Sequence, residues 1–68
     1  MFTILEKKHN EEQREFIIMS EFNDSVLTYE NLGYIPLHSC KKSETKTYLD
    51  EYFENNNLIE EEQNILHI

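Results

Sequence analysis

Two side chains near the middle of the chain, His38 and Cys40, are residue types that nucleophilic catalysis requires. Residues two apart in a strand point to the same side, so the imidazole and the thiol could meet. The adjacent Lys41 and Lys42 would also favour a thiolate. A nucleophile needs a substrate pocket of about 300 Å³ or more, and so short a chain is poorly suited to build one. We therefore expect a small, at least half-buried cysteine, no catalytic residue and no enzyme activity.

His38 and Cys40 are also zinc ligands by type, and His9 and His67 could complete a set of four. Structural zinc ligands come in closely spaced pairs, whereas this chain has one pair and two scattered histidines. Gly33 is the only glycine, so a glycine-rich phosphate loop is missing. We predict no metal site and no cofactor.

Negative charge dominates the composition, with 14 acidic residues against 6 basic ones and a net charge of −8. Phosphates would repel such a protein, which disfavours direct binding to nucleic acid and to anionic membranes. The apolar runs are far shorter than the roughly 18 residues of a membrane span. Complementary charge therefore favours a basic or partly basic protein as the partner.

The chain of 68 residues contains one cysteine, which precludes an internal disulfide and fits a reducing compartment. Its first residues, MFTILEKKHNEEQ, lack the basic region and the small-residue cleavage site of a secretory signal. We expect one small domain over residues 1–68, located in the cytoplasm, or in the host cytoplasm if a phage encodes it. The abundance of Asn, Ile, Lys and Glu favours an AT-rich bacterial or phage genome.

Residues 2–7 and 14–22 are predicted to be two strands joined by a hairpin loop. Apolar side chains lie on both faces of the second segment, which indicates a central strand: Phe16, Ile18 and Phe22 on one face, Ile17 and Met19 on the other. A helix is the alternative for this segment, but its apolar residues would encircle the helix instead of forming a stripe.

Residues 24–33 fit two structures. As a helix, the segment would be capped by Asp24 or Ser25 and would have Gly33 just after its end. As the first arm of a hairpin, it has suitable β-branched and aromatic residues, with YIPLH as the second arm. We favour the hairpin, and Pro36 then places its second arm at a sheet edge.

The clearest helix is predicted near residues 44–56, with Ser43 as its N-cap. Four side chains form one apolar face: Tyr48, Leu49, Tyr52 and Phe53. Residues 58–68 are predicted to form either a short helix or a turn followed by a strand. The expected fold class is α+β, a small antiparallel sheet of three to four short strands packed against a C-terminal amphipathic helix.

The segment YLDEYFENNNLIEEEQ, residues 48–63, is rich in acidic residues and contains no lysine or arginine. Its acidic residues are predicted to steer a basic partner, and two tyrosines next to the presumed turn are predicted to anchor it: Asp50, Glu51, Glu54, Glu60, Glu61 and Glu62, with Tyr29 and Tyr34. We expect a non-enzymatic acidic binding protein, a bacterial or phage inhibitor or regulator.

Two other functions are compatible with the composition. A mimic of DNA phosphates is one, although six acids on a helix over residues 48–63 give one charge per about 4 Å, against roughly 1.7 Å in duplex DNA. Glu11, Glu12 and Glu15 would have to lie alongside to raise that density. The other is a homodimer or larger homo-oligomer with an accessory role, in which spare apolar surface seals a self-interface.

Overall fold

Four strands and two helices form an α+β fold in the computed structural model, which describes residues 1–68. The sheet order is β3–β1–β2–β4, and β1 runs antiparallel to β2 and to β3, whereas β4 runs parallel to β2. The elements in chain order are β1 (Phe2–Lys8), β2 (Arg14–Ser20), α1 (Ser25–Asn31), β3 (Ile35–Cys40), α2 (Thr45–Asn55) and β4 (Asn64–His67).

Two parts of the predicted architecture are wrong. The sheet is mixed, because the chain crosses over one face of the sheet as α2 and then runs along β2 in the same direction. The helix is therefore internal, not C-terminal, since residues 58–68 supply a strand after it. Of the two alternatives for that segment, the turn followed by a strand is correct: a 3-10 turn, Glu60–Glu62, precedes β4.

The predicted hairpin of β1 and β2 is confirmed, and β2 is a central strand. Asn10 shapes the connecting loop, because its side-chain oxygen accepts hydrogen bonds from the backbone N–H groups of Glu12 and Gln13 at 2.8 and 2.9 Å. The second strand ends at Ser20, two residues before the predicted end. Phe22 consequently lies in a turn and is 83% exposed, not packed with Phe16.

Helix α2 covers one face of the sheet with the predicted apolar side. Leu49 and Phe53 are buried against Ile4, Phe16 and Ile18, and the rings of Phe16 and Phe53 meet edge to face at 5.2 Å. Tyr48 and Tyr52 are half-buried at the border of this core.

The start of α2 differs from the prediction, whereas its end agrees with it within one residue. A 3-10 turn, Lys42–Glu44, precedes the helix, so Ser43 lies inside that turn and is not the N-cap. Thr45 ties the turn to the helix by donating its hydroxyl to the Lys42 carbonyl at 2.8 Å. Asn57, just past the helix, has a φ of 55°, a left-handed conformation that asparagine tolerates better than most residues.

The favoured hairpin over residues 24–33 is wrong, because Ser25–Asn31 is helix α1. Asn23 starts it by accepting a hydrogen bond from the Ser25 N–H at 2.8 Å, and Gly33, at a φ of 99°, follows its end. The helix lies on the sheet face opposite α2, where Val26 and Tyr29 pack on three buried side chains, Leu5, Ile17 and Met19. No residue of α1 is itself buried, so its cover of this face is thin.

The two edges of the sheet are β3 and β4. Pro36 lies in β3, which confirms its predicted edge position, and the β1–β3 pairing shifts register between Ile4 and Leu5. Neither helix is long and apolar enough to cross a membrane.

Candidate binding surface

The acidic residues of α2 point away from the sheet. Asp50, Glu51 and Glu54 are all exposed, as their positions opposite the apolar side of the helix require. Lys46 pairs with Asp50 at 3.2 Å. Asp50 is the only one of the six predicted steering acids in an ion pair, so the charge of the other five is uncompensated by direct contacts.

The acidic turn, Glu60–Glu62, lies between α2 and β4, and all three side chains are exposed. On the α2 side, Asp50 and Glu60 line one depression of about 210 Å³ with Lys46, Ile65 and His67; we name it the acidic groove. A hydrogen bond with Asp50 and the charges of Asp50 and Glu60 raise the pKa of Lys46.

The hairpin loop before β2 contributes further acid next to this turn. Glu12 and Glu62 line a shared depression with Asn57 and Ile59. Glu15 does not join them, because its carboxylate accepts a hydrogen bond from Tyr34 and lies near His9 instead. Of Glu11, Glu12 and Glu15, only Glu12 shares a depression with the predicted acidic segment.

Gln63 fixes the position of the acidic turn relative to β2. Its side-chain oxygen accepts the Arg14 backbone N–H at 2.8 Å, and its amide nitrogen donates to the carbonyls of Glu12 and Ile59 at 2.7 and 3.1 Å. Gln63 is 8% exposed, so these bonds are shielded from water. The sequence prediction gave this residue no role, although a polar side chain between an acidic turn and an apolar strand is a recognisable signal.

The opposite face of the sheet has a second depression, of about 300 Å³, that we name the tyrosine groove. It lies between α1 and β4, and its main lining residues are Glu15, Ile17, Tyr29, Tyr34, Asn64 and Leu66. The rings of Tyr29 and Tyr34 meet edge to face at 5.5 Å. Both are half-buried, so they form a rigid wall of the groove and do not project freely from a turn.

The predicted site residues therefore do not form one patch. The α2 acids lie on one side of the sheet, and Tyr29 and Tyr34 lie on the other. Strand β4 connects the two regions, because Ile65 lines both the acidic groove and the tyrosine groove.

A buried charged cluster under α2 was not foreseen. Arg14 donates to the Glu6 carboxylate at 3.0 Å and to the Tyr52 hydroxyl at 3.2 Å, and Tyr52 donates to the same carboxylate oxygen at 2.7 Å. The Arg14 and Glu6 side chains are 6% and 10% exposed. Burial and the hydrogen bond to Glu6 raise the pKa of Tyr52 to about 12. The signal was present, since both charged residues lie on the apolar side of their strands.

His38 and Cys40 do not form the geometry of a nucleophile and its base. Cys40 is 5% exposed, and burial together with the Glu44 charge raises the pKa of its thiol. His38 instead stacks on Tyr48, with ring centroids 4.4 Å apart. No group of three His, Cys, Asp or Glu side chains converges in a way that could hold a metal ion.

No protein-family model, no curated protein and no solved structure matches the chain significantly.

Proposed function

We propose that this protein is a non-enzymatic acidic binding protein, a bacterial or phage inhibitor or regulator that acts in the cytoplasm on a basic or partly basic protein. The observation that carries the proposal is the set of exposed acidic residues in α2 and the acidic turn, of which only Asp50 is in an ion pair. The protonated, buried Cys40 supports a role other than nucleophilic catalysis.

In this function the acids act over distance and the apolar groups act on contact. Unpaired exposed carboxylates raise the rate of encounter with a basic surface. At 0.1 M salt this attraction is largely screened beyond about 10 Å. Tyr29 and Tyr34 supply a preorganised aromatic wall, which loses little side-chain entropy on binding. Charge then sets the on-rate, and the tyrosine groove sets the lifetime of the complex.

The first test identifies a partner and then measures association rates. Tagged protein is incubated with bacterial lysate, washed at low and at high salt, and the retained proteins are identified by mass spectrometry. A basic protein released by salt is then purified for stopped-flow kinetics with a variant that replaces Glu60, Glu61 and Glu62 by Gln. We expect the variant to associate several-fold more slowly at low salt and the difference to shrink at high salt.

A matched control removes the same charge elsewhere, at exposed acids near α1: Glu21→Gln, Asp24→Asn and Glu30→Gln. This variant should associate nearly as fast as the unmodified protein. Equal on-rates for the unmodified protein and the acidic-turn variant would contradict steering by these residues, and capture of exclusively acidic, salt-insensitive partners would contradict the proposal as a whole.

A DNA mimic is the second candidate, and the position of Glu12 beside Glu62 favours it because it extends the acidic surface beyond one helix. The captured partner would then be a nucleic-acid-binding protein, and duplex DNA would compete for it. A homo-oligomer is the third candidate. It is favoured by exposed apolar side chains, among them Leu27 at 65% and Ile35 at 64%, and light scattering would detect it as a doubled or higher mass.

A further inference from the structure

The outer edge of β4 is open, and although the strand has only 4 residues it lacks the proline, the lysine and the shifted register that protect many sheet edges. β3, at the other edge, has Pro36 and a shifted register, whereas the β4 sequence NILH contains neither proline nor lysine. The Ile68 N–H donates to the Ile18 carbonyl at 3.0 Å. Because backbone groups alternate along a strand, the N–H and C=O groups of Ile65 and His67 point away from β2.

The two faces beside this edge differ in chemistry. Leu66 pairs with Ile17 on the α1 face, where it is 52% exposed and lines the tyrosine groove. Ile68, after the strand, lines another depression with Lys42, Thr45 and His67. Ile65 and His67 face α2, where the acidic groove contains Asp50 and Glu60. One lysine, Lys46, opposes those two acids, and Glu61 and Glu62 add more negative charge at the start of the strand.

We propose that the β4 edge accepts an extended segment of the basic partner protein as a fifth strand. Apolar side chains of that segment would lie beside Leu66 and the tyrosine groove, and its lysines or arginines would lie over Asp50 and Glu60. A strand directs alternate side chains to opposite faces, so a segment of alternating apolar and basic residues satisfies both faces at once.

The charge decides between this occupant and a second copy of the chain. Two copies joined at β4 would bring together two molecules of net charge −8, with the acidic turns near the seam. A basic strand instead neutralises the acidic turn and the acidic groove. This inference rests on the proposed function, because it assigns to the same basic partner a mode of docking.

The test uses two synthetic eight-residue probes and NMR of the ¹⁵N-labelled protein at low salt. The first probe alternates Val and Lys. The second alternates Pro and Lys, so it has the same charge but favours a polyproline conformation and lacks half of the amide donors. We expect the Val–Lys probe to shift the amide signals of Ile65 and His67, and the Pro–Lys probe to bind about tenfold more weakly or not at all.

Two variants test the edge itself. His67→Pro removes an outward N–H, as Pro36 does in β3, and should weaken the Val–Lys probe about tenfold, whereas His67→Ala keeps the N–H and should bind nearly normally. The two probes acting on the unmodified protein keep the test valid if His67→Pro unfolds.

Equal binding of both probes, with shifts confined to the acidic turn, would overturn edge docking and leave the proposed function standing. Binding of neither probe would also overturn edge docking, while the proposed function would still be decided by the on-rates of the captured partner. A stable dimer of the unmodified protein that His67→Pro converts to a monomer would assign the edge to a second copy of the chain. It would overturn docking of a partner segment there.

Discussion

Tyr34 donates its hydroxyl proton to the Glu15 carboxylate at 2.6 Å, and this bond ties the segment after α1 to strand β2. The same two residues form one end of the tyrosine groove. The hydrogen bond lowers the pKa of Glu15, helped by His9, and raises the pKa of Tyr34 to about 12. Because α1 covers its face thinly, this bond is one of few that fix the helix to the sheet.

Replacing Tyr34 by Phe should destabilise the protein by about 1.5 kcal/mol at neutral pH, the lower end for a hydrogen bond to a carboxylate, because the site is only partly buried. The ring remains to pack on Tyr29, so the loss reports the hydroxyl alone. Urea unfolding followed by circular dichroism measures the difference. Tyr48→Phe is the control, because its hydroxyl makes no hydrogen bond with another residue of the chain, and it should leave the stability within about 0.5 kcal/mol.

The difference in unfolding free energy between the unmodified protein and Tyr34→Phe should shrink at both acidic and alkaline pH. The folded pKa of Glu15 is lowered, so its contribution is present above the ordinary value of 4.5 and is lost as the pH falls below it. The folded pKa of Tyr34 is raised, so its contribution is complete below 10 and is lost as the pH rises toward about 12. A difference that stays constant from pH 3 to pH 11 would contradict this coupling.

Removing one member of the buried pair of Glu6 and Arg14 should lower the free energy of unfolding far more than removing both. Arg14→Met leaves the buried Glu6 carboxyl without its cationic partner, which should cost about 3 kcal/mol, most of the stability of so small a domain. The double variant Glu6→Leu, Arg14→Met should recover a large part of that loss, because no charge remains buried. Thermal unfolding compares the double variant with the single variants Arg14→Met and Glu6→Leu. A double variant as unstable as the sum of the two single variants would show that the pair is not coupled.

The sequence predicted well those elements whose apolar pattern is strong. β1, β2 and α2 follow alternation or a helical stripe, and apart from the exposed Phe22 their apolar residues lie on the faces that the pattern predicts. Residues 24–33 were misassigned because Val26, Thr28 and Tyr29 have strand propensity, whereas the helix is set by Asn23 before it and Gly33 after it.

The site was harder to predict than the fold. The parallel pairing of β4 depends on where α2 returns the chain, and no local pattern in residues 64–67 encodes it. For the same reason the open edge and the two grooves beside it could not be predicted from the sequence. The acids themselves were foreseen as exposed, but the separation of Tyr29 and Tyr34 from them, on the other side of the sheet, follows only from the topology.

Cys40 should react slowly with thiol reagents in the folded protein. Its burial excludes the reagent, and its raised pKa keeps the thiol protonated at neutral pH. We expect labelling by a chromogenic disulfide at pH 8 to be slower by roughly a hundredfold than in the urea-unfolded chain, since reaction requires opening of the structure. Labelling of the folded protein at the rate of the unfolded chain would show that the Cys40 thiol is accessible and reactive, contrary to this prediction.

Gln63→Ala should loosen the acidic turn and β4 while leaving the rest of the sheet intact. The substitution leaves the Arg14 backbone N–H without its side-chain acceptor and frees the carbonyls of Glu12 and Ile59, which should cost about 1–3 kcal/mol. Hydrogen exchange should accelerate at Leu66 and Ile68, whose N–H groups face β2, and much less in the β1–β2 hairpin.

The control for this variant is Gln13→Ala, since Gln13 is exposed and its side chain accepts only a long bond of 3.4 Å from Asn10. It should leave exchange in β4 unchanged. Gln63→Ala should also weaken the Val–Lys probe, because an edge that frays cannot template an added strand. Unaltered exchange at Leu66 and Ile68 in Gln63→Ala would mean that the pairing of β4 with β2 holds without this side chain, and that the buried amide is not what positions the open edge.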